Sequence, residues 1–478
     1  MTIISLLLTQ AKRIPDQIAI VDKNKKTITF SDLAKQSALM ANALQQRNIN
    51  RGDKVLVAVW PGIDLYITLA ALWRLGVTAV FPEAAMGLKG LCYAAKTIAP
   101  KAMIAATSIR AIRPFMKDLR LIKDTYSPSL RGDEEFLNDD ALETDGALIS
   151  FTSGTTGAPK AMERSHALLL AQHNALAEIL GSNRTETDLV AFPAVALSCL
   201  GHGHTIVLPN WNLRRHDKAN IETLLDYATQ NKVTRLIAPP IIVENLVKQK
   251  NRLPSSSSLR TIITGGGPLY PDIMQKFERE FPNIQLVVLY GSTEAEPISH
   301  LDTNDITKEE WVRAFQGGGL PVGKPSPYAN VRLGENNEIM VAGKHVNESY
   351  LDKSRNGETK CQIDGKIYHR TGDIGYFDAN NQLWLLGRLG TQYNNLFPFA
   401  LEIEARLQPG IKAAAAMMID DKMVLAISGK MPSAMSDFSK NMINRGVQLR
   451  YIKHIPKDRR HRSKVDYKSL RKILTKQK

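Results

Sequence analysis

Nine consecutive positions, 152–160, gather four hydroxyls (Thr152, Ser153, Thr155, Thr156), two glycines (Gly154, Gly157) and Lys160, directly behind the apolar run 147–151. Glycines let backbone N–H groups converge on an anion, hydroxyls add donors, and a lysine supplies a point charge, so the segment is suited to holding a polyphosphate. It is not the Gly-x-x-x-x-Gly-Lys-Ser/Thr pattern, and composition alone equally allows an ordinary Ser/Gly loop. Two more apolar runs break off in the same way: 260–264 into Gly265, Gly266 and Gly267, and 285–290 into Gly291, Ser292, Thr293 and Glu294. Further on stand 368–373, ending in Asp373, then Gly387 with Arg388, and a late lysine, Lys464.

His202 and His204 have the spacing of metal ligands, but no carboxylate or thiolate cluster accompanies them in the sequence, so loop or pocket lining is expected. Cys199 reads as a small buried hydrophobe. Cys92, Cys199 and Cys361 are far apart, which fits a reduced compartment and favours neither a zinc site nor a disulfide framework.

The elements that must position these loops follow from the runs themselves. Continuous β-rich runs separated by helical stretches such as 167–180 indicate a parallel sheet buried on both faces. Ligands of such sheets sit beyond the carboxyl ends of the strands, so all three loops should face one crevice. Downstream the texture turns to hairpins: 338–341 alternates after the turn 334–337, and 368–388 carries a turn at 378–382. A helical segment, 401–407, and an apolar run, 413–419, then suggest a small α+β unit, with a division at 1–387 and 388–478.

Length and composition bound the rest. The chain has 478 residues, 44% apolar, 23% charged and 6% aromatic. At roughly 150 residues per domain it amounts to about three domain-equivalents with a large core, which excludes disordered, collagenous and mini-protein classes. No run approaches the ~18 to 20 apolar residues of a spanning helix, and no cationic segment precedes the short apolar run 3–8. A cytoplasmic protein without a membrane span is expected. Of the net charge of +15, two thirds lies in 448–478, which holds twelve basic and two acidic residues. Such a segment fits phosphates, nucleic acid, an acidic membrane surface or simply a solvated helix face. Nucleic acid is not expected, because only Tyr451 and Tyr467 offer stacking there.

Taken together and in order, the 152–160 loop, 290–294, 368–373, Gly387 with Arg388, and Lys464 resemble the adenylate-forming superfamily of acyl-CoA synthetases, peptide-synthetase adenylation domains and luciferases. The resemblance runs from 11–22 to 463–465. Within it the chain is most similar to fatty-acid CoA ligase-like proteins and the β-lactone synthetases of olefin biosynthesis. The residues carrying this are Met86-Gly87 after Pro82, Phe192-Pro193 followed by Ala196-Leu197, 369–373 leading to Leu383-Trp384, and Arg460-His461 before Lys464.

This resemblance implies an α/β fold: a large N-terminal domain of stacked, mostly parallel sheets with helices and a β-barrel-like part, and a small mobile α+β C-terminal domain. It implies that Thr152, Ser153, Gly154, Thr155, Thr156, Gly157 and Lys160 cover the β- and γ-phosphates of ATP. Thr293 would bond the α-phosphate and Glu294 would hold Mg2+, a hard cation that takes oxygen ligands. Tyr290 would offer an aromatic face to adenine, Gly265, Gly266 and Gly267 would permit close backbone approach to the base, Gly291 and Ser292 would also bind the nucleotide, and Asp373 and Arg388 would hold the ribose. Lys464 would neutralise the two anions that must meet.

The implied activity is ATP-dependent adenylation of a carboxylic acid, read as a fatty acid, with pyrophosphate release and transfer to CoA, a carrier protein or another thiol. Apolar candidates for the acyl side are Val195, Ala196, Leu197 and Leu200. The alternative is a β-lactone synthetase that closes a 3-hydroxy acid through its acyl-AMP; a non-catalytic nucleotide or nucleic-acid binder is more remote. The chain departs from the family's pattern at Gly390, where Asp or Lys is usual at the hinge, and in 391–402, which lacks the glycine of the thiol channel. At Ala196 it departs again, near the place of a histidine common in acyl-CoA synthetases.

Overall fold

Short β-branched runs alternating with amphipathic helices fold into two stacked sheets and a smaller third. The computed structural model describes residues 1–82, 86–136, 141–152, 159–181, 184–249, 254, 256–430, 436–458 and 463–476. One sheet has six strands in the order Asp124–Tyr126, Ala102–Ala105, Lys54–Ala58, Thr78–Val80, Gly146–Thr152, Lys160–Ser165. All neighbours in it are parallel except the last pair, which is antiparallel. The second sheet has fourteen strands. Its parallel block runs Ile18–Val21, Thr205–Val207, Thr187–Val190, Arg235–Ala238, Thr261–Gly265, Gln285–Ser292.

The parallel strands are the continuous apolar runs of the sequence. Arg235–Ala238 and Ala102–Ala105 are buried at every position, as strands covered on both faces must be. Val57 and Leu148 of the smaller sheet share one core with Ile237, Ile263 and Val287 of the larger. Helices Ile3–Arg13, Phe30–Gln45, Ile63–Arg74 and His166–Leu180 contribute to the same core. The last of these starts where Ser165 accepts a hydrogen bond from the Leu168 N–H at 3.2 Å, an N-cap that Ser supplies well.

The barrel-like part expected downstream takes the form of an antiparallel continuation of the large sheet. Ala295–Asp302, Leu320–Pro325, Leu383–Arg388, Lys366–Phe377, Glu338–Ala342 and Asn330–Leu333 follow one another outward, and among the described residues they do not close on themselves. The last residues fold as a three-stranded sheet, Ile411–Ile419, Lys422–Gly429, Val447–Tyr451, with helices Pro398–Arg406, Asp437–Asn444 and Tyr467–Lys476. Between the two parts Gly390 has φ +76° and open space around an added Cβ, so only the backbone conformation asks for glycine there. Among the described residues no helix is long and apolar enough to cross a membrane.

Candidate active site

The strand Gly146–Thr152 pairs antiparallel with Lys160–Ser165, with Thr152 opposite Lys160. Ser153, Gly154, Thr155, Thr156 and Gly157 lie outside the described residues. Lys160 is buried, with Nζ 2.8 Å from the Glu358 carboxylate and 4.7 Å from the centre of the Tyr350 ring. Hydrogen bonds from Arg355 and then Lys160 pull the Glu358 carboxyl down to about 2. The Tyr350 hydroxyl donates to Glu294 Oε1 at 3.0 Å.

A second lysine enters this cluster. Lys360 Nζ lies 5.5 Å from the centre of the same Tyr350 ring, donates to the Asn347 carbonyl and stands 3.4 Å from His369 Nδ1. Burial lowers the Lys360 ammonium to about 8 despite the nearby Glu294 carboxylate, and burial followed by Lys360 lowers His369 to about 4. Burial works against charge on Glu294, but the nearby His369, its own backbone N–H, the Tyr350 hydroxyl and Lys360 hold its carboxyl below the ordinary value. The site therefore keeps an ionised, hard oxygen donor beside the Lys360 ammonium.

Across the crevice, Tyr290, Asp373 and Arg388 form one array. Tyr290 OH donates to Asp373 Oδ2 at 2.9 Å, and Arg388 Nη1 donates to Asp373 Oδ1 at 2.7 Å. Asp373 and Arg388 face each other across neighbouring antiparallel strands, which is why residues fifteen apart in sequence meet. Gly265 ends its strand against the neighbouring one, where an added Cβ would stand 2.9 Å from the Leu289 carbonyl oxygen. Gly266 has φ +80°, a left-handed conformation that favours glycine.

Gly267 is where the C-terminal part meets the crevice. A Cβ there would lie 2.7 Å from Ser463 Cβ and 3.7 Å from Lys464 Cγ. Ser463 is buried, its hydroxyl accepting from the Ile241 N–H at 3.3 Å, and Asp458 Oδ1 accepts from the Ser463 and Lys464 N–H groups at 3.1 and 2.9 Å. Lys464 thus lines the same cavity as Gly265, Gly266, Gly291, Ser292 and Thr293. Behind it, Glu402 of the helix Pro398–Arg406 is fully buried. It accepts from Tyr270 OH and from the Ala416 N–H at 2.8 Å, and burial raises its carboxyl to about 7.

That cavity, of about 310 Å3, opens from the glycines into a mostly apolar interior walled by Leu148, Leu176, Ile179, Leu197, Ile263 and Leu289. Val195 and Leu197 line it as expected of acyl-side residues; Ala196 and Leu200 do not, because helix Pro193–Gly201 turns them into the core. Three lining residues, Ser150, Thr264 and Ser292, have buried hydroxyls with no hydrogen-bond partner among the described residues. Arg164, also on the wall and buried, donates to the Thr293 carbonyl at 3.2 Å.

The histidines were misread in one respect. His204 is accompanied by a carboxylate and a thiol, since atoms of Asp188, Cys199 and His204 lie within 4.8 Å of one another. Sequence distance hid this, because Asp188 arrives on the neighbouring strand. The carboxylate is, however, already engaged by Arg235, whose Nε and Nη2 donate to its two oxygens at 2.7 and 2.8 Å, and whose Nη2 is also 2.9 Å from His204 Nδ1. A buried guanidinium at that distance repels a second cation, so the group is an ion-paired core network. Sequence reading also missed Tyr350, Glu358, Lys360 and Arg164. Of these only Arg164 carried a signal, a charge four residues after Lys160 on an otherwise buried strand.

Comparison with known proteins gives the family and the fold. A family model described as "AMP-binding enzyme" matches residues 7–351. The olefin β-lactone synthetase of Stenotrophomonas maltophilia (strain K279a) is 27% identical over 434 residues, covering 79% of this chain and 77% of that protein. The 2-succinylbenzoate–CoA ligase of Bacillus licheniformis is 25% identical over 445 residues, covering 89% and 87%. Among solved structures, the o-succinylbenzoate CoA synthetase of Bacillus subtilis with its acyl-adenylate OSB-AMP has a TM-score of 0.78 at 21% identity, covering 98% of this chain and 97% of that one. The same protein in complex with ATP and a magnesium ion also has a TM-score of 0.78 at 21% identity, covering 98% and 99%.

Proposed function

Because the chain belongs to the AMP-binding enzyme family, whose members related to it are AMP-forming ligases or synthetases, we propose that its crevice adenylates an aliphatic carboxylic acid with MgATP. One carboxylate oxygen attacks the α-phosphorus, the bond to the β-phosphate oxygen breaks, and pyrophosphate leaves as acyl-AMP forms. The observation that carries this reading is the seating of Ser463 and Lys464 on Gly267, which brings a cation to the wall where Thr293 also stands. Both reactants are anions, and a fixed positive charge between them removes the repulsion that grows as they approach.

Each remaining role has a physical basis. Lys160 and Lys360 converge on the side where the triphosphate tail would extend, and both can exchange their present partners for phosphate oxygens. Glu294 fits Mg2+, because its carboxylate, engaged by the Tyr350 hydroxyl, is held ionised and is a hard oxygen donor; when bound, the ion supplies charge neutralisation to the phosphates. Asp373 accepts from the ribose hydroxyls, oriented by Arg388 and Tyr290. Residues 1–387 hold the nucleotide and acid, and 388–478 form a cap that pivots about Gly390 to deliver or withdraw Lys464.

After adenylation the acyl group passes to a thiol such as CoA. A second reading, attack by the acid's own β-hydroxyl on its acyl-AMP to close a β-lactone with AMP leaving, is favoured by the similarity to an olefin β-lactone synthetase and by Ser150, Thr264 and Ser292 on the lining, whose hydroxyls have no partner among the described residues and would turn toward a polar substituent. ATP–pyrophosphate exchange over a panel of plain and 3-hydroxy acids, with and without CoA and with mass analysis of products, tests both. Exchange with no acid in the panel would overturn the adenylation reading. CoA-independent loss of water from the 3-hydroxy acids would select the lactone.

A further inference from the structure

The helices covering the outer face of the six-stranded sheet carry a surface that the crevice does not explain. Trp60, Leu88, Phe115 and Leu121 are 51%, 41%, 86% and 70% exposed. Phe115 ends the turn Arg113–Phe115, and Leu121 follows the helix Lys117–Arg120. Arg113 stitches these together, donating to the Leu119 carbonyl at 3.3 Å and to that of Ile122. The helix Lys117–Arg120 packs on Gly87–Ile98, which carries Leu88 in its first turn. Trp60 Nε1 reaches Ser108 Oγ at 3.4 Å, on the helix Thr107–Ile112 that leads into the turn. The four apolar side chains therefore belong to one connected layer.

Cations are interleaved with them. Lys89, Lys96, Arg110, Lys117, Arg120 and Lys123 are all exposed, and among the described residues none of them forms an ion pair. Residues 86–126 hold only two acidic side chains, Asp118 and Asp124. The layer is also continuous with the cavity, whose wall includes Trp60 and Leu88 together with Leu91 and Ile109.

We propose that this layer docks on an anionic lipid bilayer, with Phe115 and Leu121 entering the headgroup region and the six cations facing lipid phosphates. Exposed aromatic and aliphatic side chains among Lys and Arg are the composition of interfacial membrane contacts, and each such cation adds attraction to an anionic surface. Four of the six are lysines, which protein–protein interfaces deplete. Docked in this way, the layer turns Trp60 and Leu88 toward the phase in which a long-chain acid is dissolved. That last consequence rests on the aliphatic-acid reading; docking itself does not.

Co-sedimentation with phosphatidylcholine vesicles, with and without phosphatidylglycerol, tests the proposal. Binding is expected only to the anionic vesicles and should weaken steeply with salt. F115S/L121S and K117E/R120E should each reduce it at least about tenfold, with melting temperature and pyrophosphate exchange on a short soluble acid unchanged. K468E/K472E, in the basic C-terminal segment, should leave it intact. Equal binding to neutral vesicles, indifference to the first two variants, or loss through the third would overturn the proposal. So would a concentration-dependent dimer, seen by sedimentation velocity, that those two variants dissolve in the absence of vesicle binding. Loss of exchange with every acid alongside intact vesicle binding would sink the enzymatic reading and leave docking standing.

Discussion

The two sides of the crevice are built on opposite terms. On the side proposed for the nucleotide, polar and charged groups are already satisfied by one another: Arg388 and Tyr290 on Asp373, Lys160 on Glu358, Tyr350 on Glu294. On the side proposed for the acid the wall is mostly apolar, and the hydroxyls of three of its residues have no partner among the described residues. A preorganised charge array can receive a polyphosphate by exchanging partners without reorganising its backbone, which is what transition-state stabilisation requires. The apolar side derives affinity from area removed from water, at roughly 25 cal/mol per Å2, and is indifferent to detail until a polar atom meets it. Chemistry should therefore depend on single residues on one side and on collective shape on the other.

Lys464→Ala should strain that contrast most. Losing one cation at the meeting point of two anions should lower pyrophosphate exchange by about 10²- to 10³-fold. ATP affinity, measured by calorimetry, should change little, because the phosphates keep Lys160 and Lys360. An equal loss of nucleotide binding would make Lys464 a ground-state contact and erase its special place between the two sides. Next in size is Asp373→Ala, which strips both Arg388 and Tyr290 of their acceptor. Charged hydrogen bonds of this kind are worth about 1.5–3 kcal/mol, or roughly 10- to 100-fold in the KM for ATP, with acid KM unmoved.

A third test concerns the contact that seats the cap. Glu402 is buried between Tyr270 and the backbone of Ala416, and burial raises its carboxyl from the ordinary range to about 7. The folded chain therefore holds a proton there that the unfolded chain releases. The stability this provides is fully present below the unfolded value, near 4.5, and is lost as pH rises through about 7. At ~1.4 kcal/mol per unit the full swing is at most about 3.5 kcal/mol. Glu402→Gln should flatten the difference in melting temperature between pH 5.5 and pH 8 by about a few degrees. An unchanged slope would mean that another group sets it.

What was legible in the sequence follows the same contrast. The strand-to-loop transitions at 151–152 and 264–265 are local events, in which a β-rich run stops at small residues, and the structure has strands ending at Thr152 and Gly265; the third strand runs past the expected break at 290–291, through Gly291 to Ser292. The crossing pair Asp373 and Arg388 was visible only through motif order, since strand register, not spacing, brings the two together. Lys360 and Tyr350 were not legible, because nothing within either segment marks it as facing Glu294. The same holds for Asp188 beside His204: the carboxylate comes from an adjacent parallel strand, and parallel neighbours are separated in sequence by whole crossovers. Ala196 and Leu200 were placed on the acyl wall by hydropathy, which cannot say which side of a helix that is apolar nearly all round faces the cavity.

The smallest effect reaches the apolar side at its polar exceptions. Thr264 and Ser150 line the cavity from different sheets, and the hydroxyl of each is buried with no partner among the described residues. An unpaired buried hydroxyl is destabilising, so Thr264→Val and Ser150→Ala should leave the fold as stable as before or slightly more so. If the acid is plain, its KM should follow suit and stay level. If it carries a 3-hydroxyl, each variant should raise the KM for that acid by about 2- to 10-fold, the value of one neutral hydrogen bond, with no change for the unsubstituted acid of equal length. A parallel rise for both acids would mean that the hydroxyls shape the wall and do not read the substrate, and the acyl side would then be governed by shape alone.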